Sequence, residues 1–341
     1  MKKLFSILLL SLFVFVSCSK NNDPVDNNTS DDLVVDASKG LTGTFIDFWG
    51  KEEWDQVQWD SHFQEMKSIG ITTVIVQFVA YNDVTWFDSS NSFTSTKYKY
   101  ALSRLLTAAA SLNMSVYIGL YLSDEYWDNQ TNVPWLQLHA ARCKSIANEI
   151  NTQFGSNKVF KGWYIPHEPE PYAYNSAELV ASFRENFVDA ISDNLHQLNN
   201  KPVSIAAFFN SELTSPAQLS DFMAELSQCN LQVIMLQDGV GVEHVPLNDV
   251  AEYYSAAANG LYTGNKNFTG EFWTDMETFE TPQAPAKIDR VTTQLTTELA
   301  VPHVVKAVSF QYYDDMCPSG PYNSSAYKLR SDYVNYIKSL K

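Results

Sequence analysis

The chain has 341 residues, enough for one large domain or two small ones, and at 45% hydrophobic it can build a sizeable core. Asp and Glu total 39 against 23 Lys and Arg, a net charge of -16, which excludes a phosphate-binding basic face and with it a nucleic-acid partner. Aromatics are abundant, with 8 Trp and 18 Tyr. Most such residues fill cores, but an excess in an acidic exported protein also suits the flat faces of sugars.

Lys2 and Lys3 precede an apolar run from Leu4 to Val16, followed by Ser17 and Cys18. This is a charged n-region and a short h-region, too short for a permanent membrane span. A Cys directly after a small residue resembles the lipobox of bacterial lipoproteins, with Phe15 where Leu is commonest. That resemblance implies a signal peptide over residues 1–17 and lipidation of Cys18. The anchored product would be an exported lipoprotein at the outer membrane or cell surface of a Gram-negative bacterium. Loss of Lys2 and Lys3 would take the charge to -18. Residues 18–38 are polar, acidic and poor in large apolar groups, and read as a disordered tether. The three remaining cysteines, Cys143, Cys229 and Cys317, match no zinc spacing and suggest no disulfide framework.

From residue 39 onward strands and helices alternate. Strands are expected over 44–49, 72–79, 115–121, 162–165, 202–209, 231–236, 272–277 and 304–312. The run Thr72-Thr73-Val74-Ile75-Val76-Gln77-Phe78-Val79 is almost continuously apolar, as in strands covered on both faces. Between the strands fall apolar residues at helical spacing, such as Trp59, Phe63, Met66 and Ile69, then Leu102, Leu105, Leu106 and Ala109. Pro134 opens a long helix, Ser176 and Ser215 stand at cap positions, and a final helix spans about 325–340. Eight β-then-α units imply parallel pairing with right-handed crossovers. They predict a single-domain α/β (β/α)8 TIM barrel over residues 39–341. An open doubly wound sheet would bring a Gly-rich phosphate loop after strand 1, and Phe48-Trp49-Gly50-Lys51 is not one.

In such a barrel the site lies at the carboxyl ends of the strands. The candidates there are Asp47 and Trp49, Gln77 and Tyr81, Tyr121, His167, Glu168 and Glu170, Asn210, Gln237 and Asp238, Trp273, Asp275 and Glu277, and Tyr312 to Asp315. Lys is missing from these ends, which disfavours Schiff-base chemistry. Histidine pairs at ligand spacing are missing too, so no metal or other cofactor is expected. Carboxylates, amides and aromatics remain. Two carboxylates facing each other suit glycoside hydrolysis, one protonated to release the leaving oxygen and one ionised. Glu168 and Glu277 come from strands 4 and 7, across the mouth from each other.

His167-Glu168-Pro169 after Trp163-Tyr164-Ile165 resembles the Asn-Glu-Pro signature of the large (β/α)8 glycosidase superfamily. The resemblance implies that Glu168 is the general acid/base and Glu277 the nucleophile of a retaining hydrolase. His167 replaces the superfamily's Asn, which contacts the sugar 2-hydroxyl. The pattern from Gly43-Thr44-Phe45 to Asp275-Met276-Glu277 also resembles a family of secreted bacterial barrels of unknown function, some of which carry a provisional α-L-fucosidase label.

Expected substrate-binding residues are Asp47, Trp49, Gln77, Tyr121, His167, Glu170, Gln237, Asp238, Trp273, Asp275 and Tyr312. Glu170 competes with Glu168 for its role, and Asp275 with Glu277. His167 could position Glu168 by a hydrogen bond or touch substrate. Asp314-Asp315 alone make a poor Ca²⁺ site. The expected partner is an oligo- or polysaccharide. The competing readings are a non-catalytic glycan-binding barrel and, more remotely, a lyase using His167 or a Tyr as base.

Overall fold

The computed structural model describes residues 32–263, 268–281 and 283–340. The expected signal peptide and Cys18 lie outside these residues. Eight parallel strands close into a barrel: β1 (Leu41–Ile46), β2 (Thr73–Val76), β3 (Ser115–Gly119), β4 (Phe160–Ile165), β5 (Val203–Ala207), β6 (Val233–Gln237), β7 (Glu271–Glu277) and β8 (Val304–Phe310). Each strand pairs with its sequence neighbour, and β8 closes on β1 through Gly43–Val308 and Thr44–Ser309.

A helix follows each strand: α1 (Gln56–Ser68), α2 (Ala101–Ser111), α3 (Val133–Phe154), α4 (Ala177–Asn199), α5 (Pro216–Leu226), α6 (Val250–Tyr262), α7 (Ile288–Leu299) and, after the last strand, α8 (Asn323–Ser339). Their starts follow the expected chemistry. Ser176 caps α4 by accepting from the Leu179 amide at 3.3 Å, and Ser215 with Gln218 forms a capping box on α5. Within α4, Arg184–Val188 forms a π-helical turn.

Several strands are shifted or shorter than expected, β1 lying at 41–46 rather than 44–49 and β2 ending at Val76 rather than 79, and two further parts of the chain differ. Strand β8 ends at Phe310, and Tyr312–Asp315 forms a helical turn. At the other end, ordered packing reaches back into the stretch read as tether: Leu33 is buried and its amide donates to the Ser68 carbonyl at 3.2 Å. Leu33 and Val35 are among the few large apolar residues in that polar run, and the bare Gly70 leaves room for the Val35 side chain, which a Cβ there would meet at 2.1 Å.

Side-chain alternation sorts the barrel. Phe45, Ile75, Tyr117, Tyr164, Ala206, Met235, Trp273 and Val308 fill the interior as one cluster. Gly162 leaves room for Tyr117, since a Cβ at that position would sit 2.2 Å from its ring. Trp163 and Ile165 point the other way, into the larger core between strands and helices. At the amino end Lys306 spans the interior, donating to Thr73 Oγ1 at 2.8 Å and lying over the Trp273 ring.

Candidate active site

The parity of β4 decides which residues reach the mouth. Tyr164 points inward, so Glu168, four residues on and of the same parity, continues that face, while His167 falls on the outer one. Glu168 is half-buried, and burial pushes its carboxyl up to about 7 against a hydrogen bond from Gln237, which favours the ionised form. Gln237 ends β6 on the inward parity of Met235.

Strand β7 presents Trp273, Asp275 and Glu277 on one face, stepping up the barrel. Glu277 is almost fully buried. Its Oε2 accepts from the Val242 amide at 2.9 Å, and burial together with the Asp238 charge pushes its carboxyl up to about 8. Asp275 is held well above the usual carboxylate range, first by burial, then by the charges of Glu168, Glu277 and Asp238. It therefore lies within electrostatic reach of both candidate catalytic acids. Tyr164 feels Glu168 and Asp275 in the same way. Glu168, Asp275, Glu277, Gln237 and Tyr164 thus share one neighbourhood at the carboxyl end of the barrel.

A second polar group sits where β8 meets β1. Gln311 Nε2 donates to Asp47 Oδ2 at 2.8 Å and to Asp314 Oδ2 at 2.9 Å. Lys51 pairs with Asp47 at 3.0 Å and lies 3.7 Å over the Tyr313 ring. Burial and the Asp47 charge push Asp314 up to about 6. Trp49, 37% exposed, packs edge-on against Phe78, Tyr81 and Trp86 and leaves part of its ring to solvent. Gln77 is half-buried and has the inward parity of Ile75.

Six expected substrate-binding residues have other places. His167 is fully buried behind β4, boxed by Tyr126, His139 and Phe187, so it neither reaches the mouth nor bonds Glu168. Tyr121 belongs to a small satellite sheet and packs on His139 and Phe93. Tyr312 is buried beside His62, because the chain turns helical after β8. Trp273 is inward but one layer down, wedged between Tyr117 and Lys306, with its Nε1 donating to Glu271 at 2.7 Å. Glu170 accepts the Tyr172 and Ala173 amides at 2.5 and 2.8 Å, closing a turn. Asp238 accepts from the Val240 and Glu277 amides at 3.1 and 3.3 Å and from Gln294, so it supports β7 from behind. Tyr164, Gln311 and Lys51 are the additions that the sequence reading missed. For Tyr164 the signal was the period of two counted back from Glu168.

A family model described as Domain of unknown function (DUF4434) matches residues 41–323. The chain belongs to the DUF4434 family. No curated protein matches it. Among solved structures, this DUF4434 barrel is similar to a Bacteroides thetaiotaomicron protein named "putative alpha-L-fucosidase", at 22% identity and TM-score 0.74 over 94% of this chain and 99% of that one. It is also similar to the endo-1,4-beta-D-mannanase of Thermotoga petrophila RKU-1, at 12% identity and TM-score 0.58 over 88% and 99% of the two chains. The Rhizomucor miehei endo-1,4-beta-mannanase matches at 15% identity and TM-score 0.55, over 88% and 95%. At such identities the likeness is one of fold.

Proposed function

We propose that this DUF4434 barrel is a glycoside hydrolase in which Glu168 and Glu277 are the two catalytic carboxylates. The observation that carries the reading is barrel geometry: β4 and β7 run parallel in the closed barrel and end at the same rim, where Glu168 follows β4 and Asp275 and Glu277 share one face of β7. Strands β4 and β7 thereby deliver two carboxyl groups to one water-poor mouth, the constellation that glycosidic cleavage uses. Glu168, half-buried and open to a leaving group, acts as general acid and then as base. Glu277, held by the Val242 amide, is the nucleophile of a retaining reaction and attacks only once its carboxyl, raised to about 8, has given up its proton. Trp49 offers a stacking face, while Asp47, Gln77 and Asp314 offer hydroxyl partners.

The substrate is an oligo- or polysaccharide, in keeping with the fucosidase and mannanase names of the structural neighbours. The lipobox-like start at Cys18 and the acidic composition support an exported lipoprotein acting on glycans at the cell surface. The test is a screen of the purified protein against aryl glycosides and against plant and host glycans, with the anomer of the first product followed by NMR. Turnover with retained configuration supports the reading. Saturable glycan binding without turnover by any substrate favours a non-catalytic glycan-binding barrel.

A further inference from the structure

Behind β4, on the side away from the mouth, three ligand-type side chains converge. His139 and Cys143 stand four residues apart on α3 and so share a helix face. His167 reaches them from the end of β4 on its outward parity. Each is at most 1% exposed. Their candidate ligand atoms all lie within 4.8 Å of one another.

The polar atoms of this group are poorly satisfied. Neither nitrogen of His167 has a hydrogen-bond partner, and those of His139 have none of good geometry, the Tyr121 carbonyl being the nearest acceptor. Cys143 Sγ reaches the Tyr121 carbonyl at 3.4 Å. The walls are aromatic: Trp135 stacks on His139 with ring centroids 4.3 Å apart, and Phe187 packs on His167 at 4.5 Å. Phe187 is carried by the π-helical turn of α4, a departure from regular helix often found at functional sites. Two histidines are a costly filling for an apolar box, because an unpaired buried imidazole loses its hydration with nothing in return. Buried polar atoms without partners call for an unseen water or ion.

We propose that His139, Cys143 and His167 form a closed binding site for a borderline-soft divalent transition metal, zinc foremost. One nitrogen from each imidazole and the Cys143 thiolate supply three ligands, and the thiol proton leaves to solvent as the metal enters. Zinc takes nitrogen at about 2.0–2.1 Å and thiolate at about 2.3 Å, so small side-chain shifts bring the three donors to tetrahedral spacing. The Tyr121 carbonyl is the protein oxygen in place for a fourth position. A closed site of this kind is structural. It would clamp α3 to the end of β4, immediately beneath Glu168. A survey of strand ends misses it because two of the ligands sit on a helix. The other cluster of this type, His62, Glu65 and Cys317, is already bonded within itself, with Cys317 Sγ 3.4 Å from Glu65 Oε2 and 3.7 Å from His62 Nδ1.

The experiment uses untagged full-length protein and the metals alone. Metal content is measured after incubation with zinc and gel filtration, and Co²⁺ is titrated while the optical spectrum is followed. The expected results are one zinc per chain, a raised melting temperature, and a thiolate-to-cobalt charge-transfer band lost in Cys143→Ser. In His167→Gln, zinc content falls at least tenfold while the circular dichroism is kept. Wild-type protein that retains neither zinc nor cobalt at stoichiometry overturns the proposal, whatever the variants do. A cobalt band that survives Cys143→Ser also overturns it.

Discussion

The Val242 amide donates to Glu277 Oε2 at 2.9 Å, tying the β7 carboxylate to the loop that follows β6. The fit of that loop depends on Gly241. A Cβ there would lie 2.6 Å from the Phe279 carbonyl oxygen, 2.9 Å from Glu277 Cβ and 3.0 Å from its Oε2. Gly241→Ala therefore has to push the loop or the carboxylate aside. A displacement of a few tenths of an ångström to 1 Å at a reacting group costs roughly 10- to 100-fold in turnover. The expected outcome is such a loss in kcat with the circular dichroism spectrum unchanged. Wild-type kcat in this variant would show that the loop does not set the Glu277 position.

The buried acids give stability a direction with pH. Glu277 is raised from its ordinary 4.5 to about 8, and Asp275 is raised as well. A carboxyl whose folded pKa exceeds its unfolded one favours folding while protonated in both states. That contribution is complete below about pH 4.5 and is lost as pH rises through about 8. Its size is on the order of a few kcal/mol at most. Chemical denaturation between pH 5 and pH 9 should show stability falling across this window. Glu277→Gln should flatten the fall, and a slope equal to that of wild type would mean that Glu277 is not the group responsible.

Trp49 is the exposed aromatic of the mouth, and its ring is buttressed by Phe78, Tyr81 and Trp86. Trp49→Ala should raise KM by about 3- to 10-fold, roughly 1 kcal/mol of lost stacking, with a much smaller change in kcat. Steady-state kinetics decides this. An unchanged KM would place the sugar elsewhere in the mouth.

Trp273 behaves differently because it is interior packing. Trp273→Ala should lower stability by about 3–5 kcal/mol. If the protein still folds at low temperature, its preference among substrates should be that of wild type. A stability loss under about 1 kcal/mol with altered specificity would return Trp273 to the substrate-binding group.

Much of this was legible in the sequence. Apolar strands such as Thr73–Val76 and Val233–Gln237, alternating with amphipathic segments, allow few folds besides the barrel. Glu168 and Glu277 could be named as candidates because prolines end the strand after Ile165 and because β7 carries its acids on one face. The six misplaced residues share a cause: proximity to a strand end was taken as access to the mouth. His167 and Asp238 have the outward parity of their strands, and Tyr312 opens a helical turn. Tyr121 had already left the barrel for a satellite sheet. Glu170 is spent on two local amides, and Trp273 has the right parity at the wrong depth. Parity can be counted from sequence, but depth, local capping and sheet switching depend on neighbouring strands and loops.

The most direct test is the turnover of Glu168→Gln and Glu277→Gln on the best glycoside from the screen, with both variants checked for unchanged melting at pH 5, where the wild-type acids are protonated. Loss of a positioned general acid costs about 10²- to 10⁴-fold, and loss of the nucleophile should cost at least as much. Both variants are therefore expected to be folded and to fall by at least 100-fold. Wild-type rates in either variant would contradict the two-carboxylate mechanism.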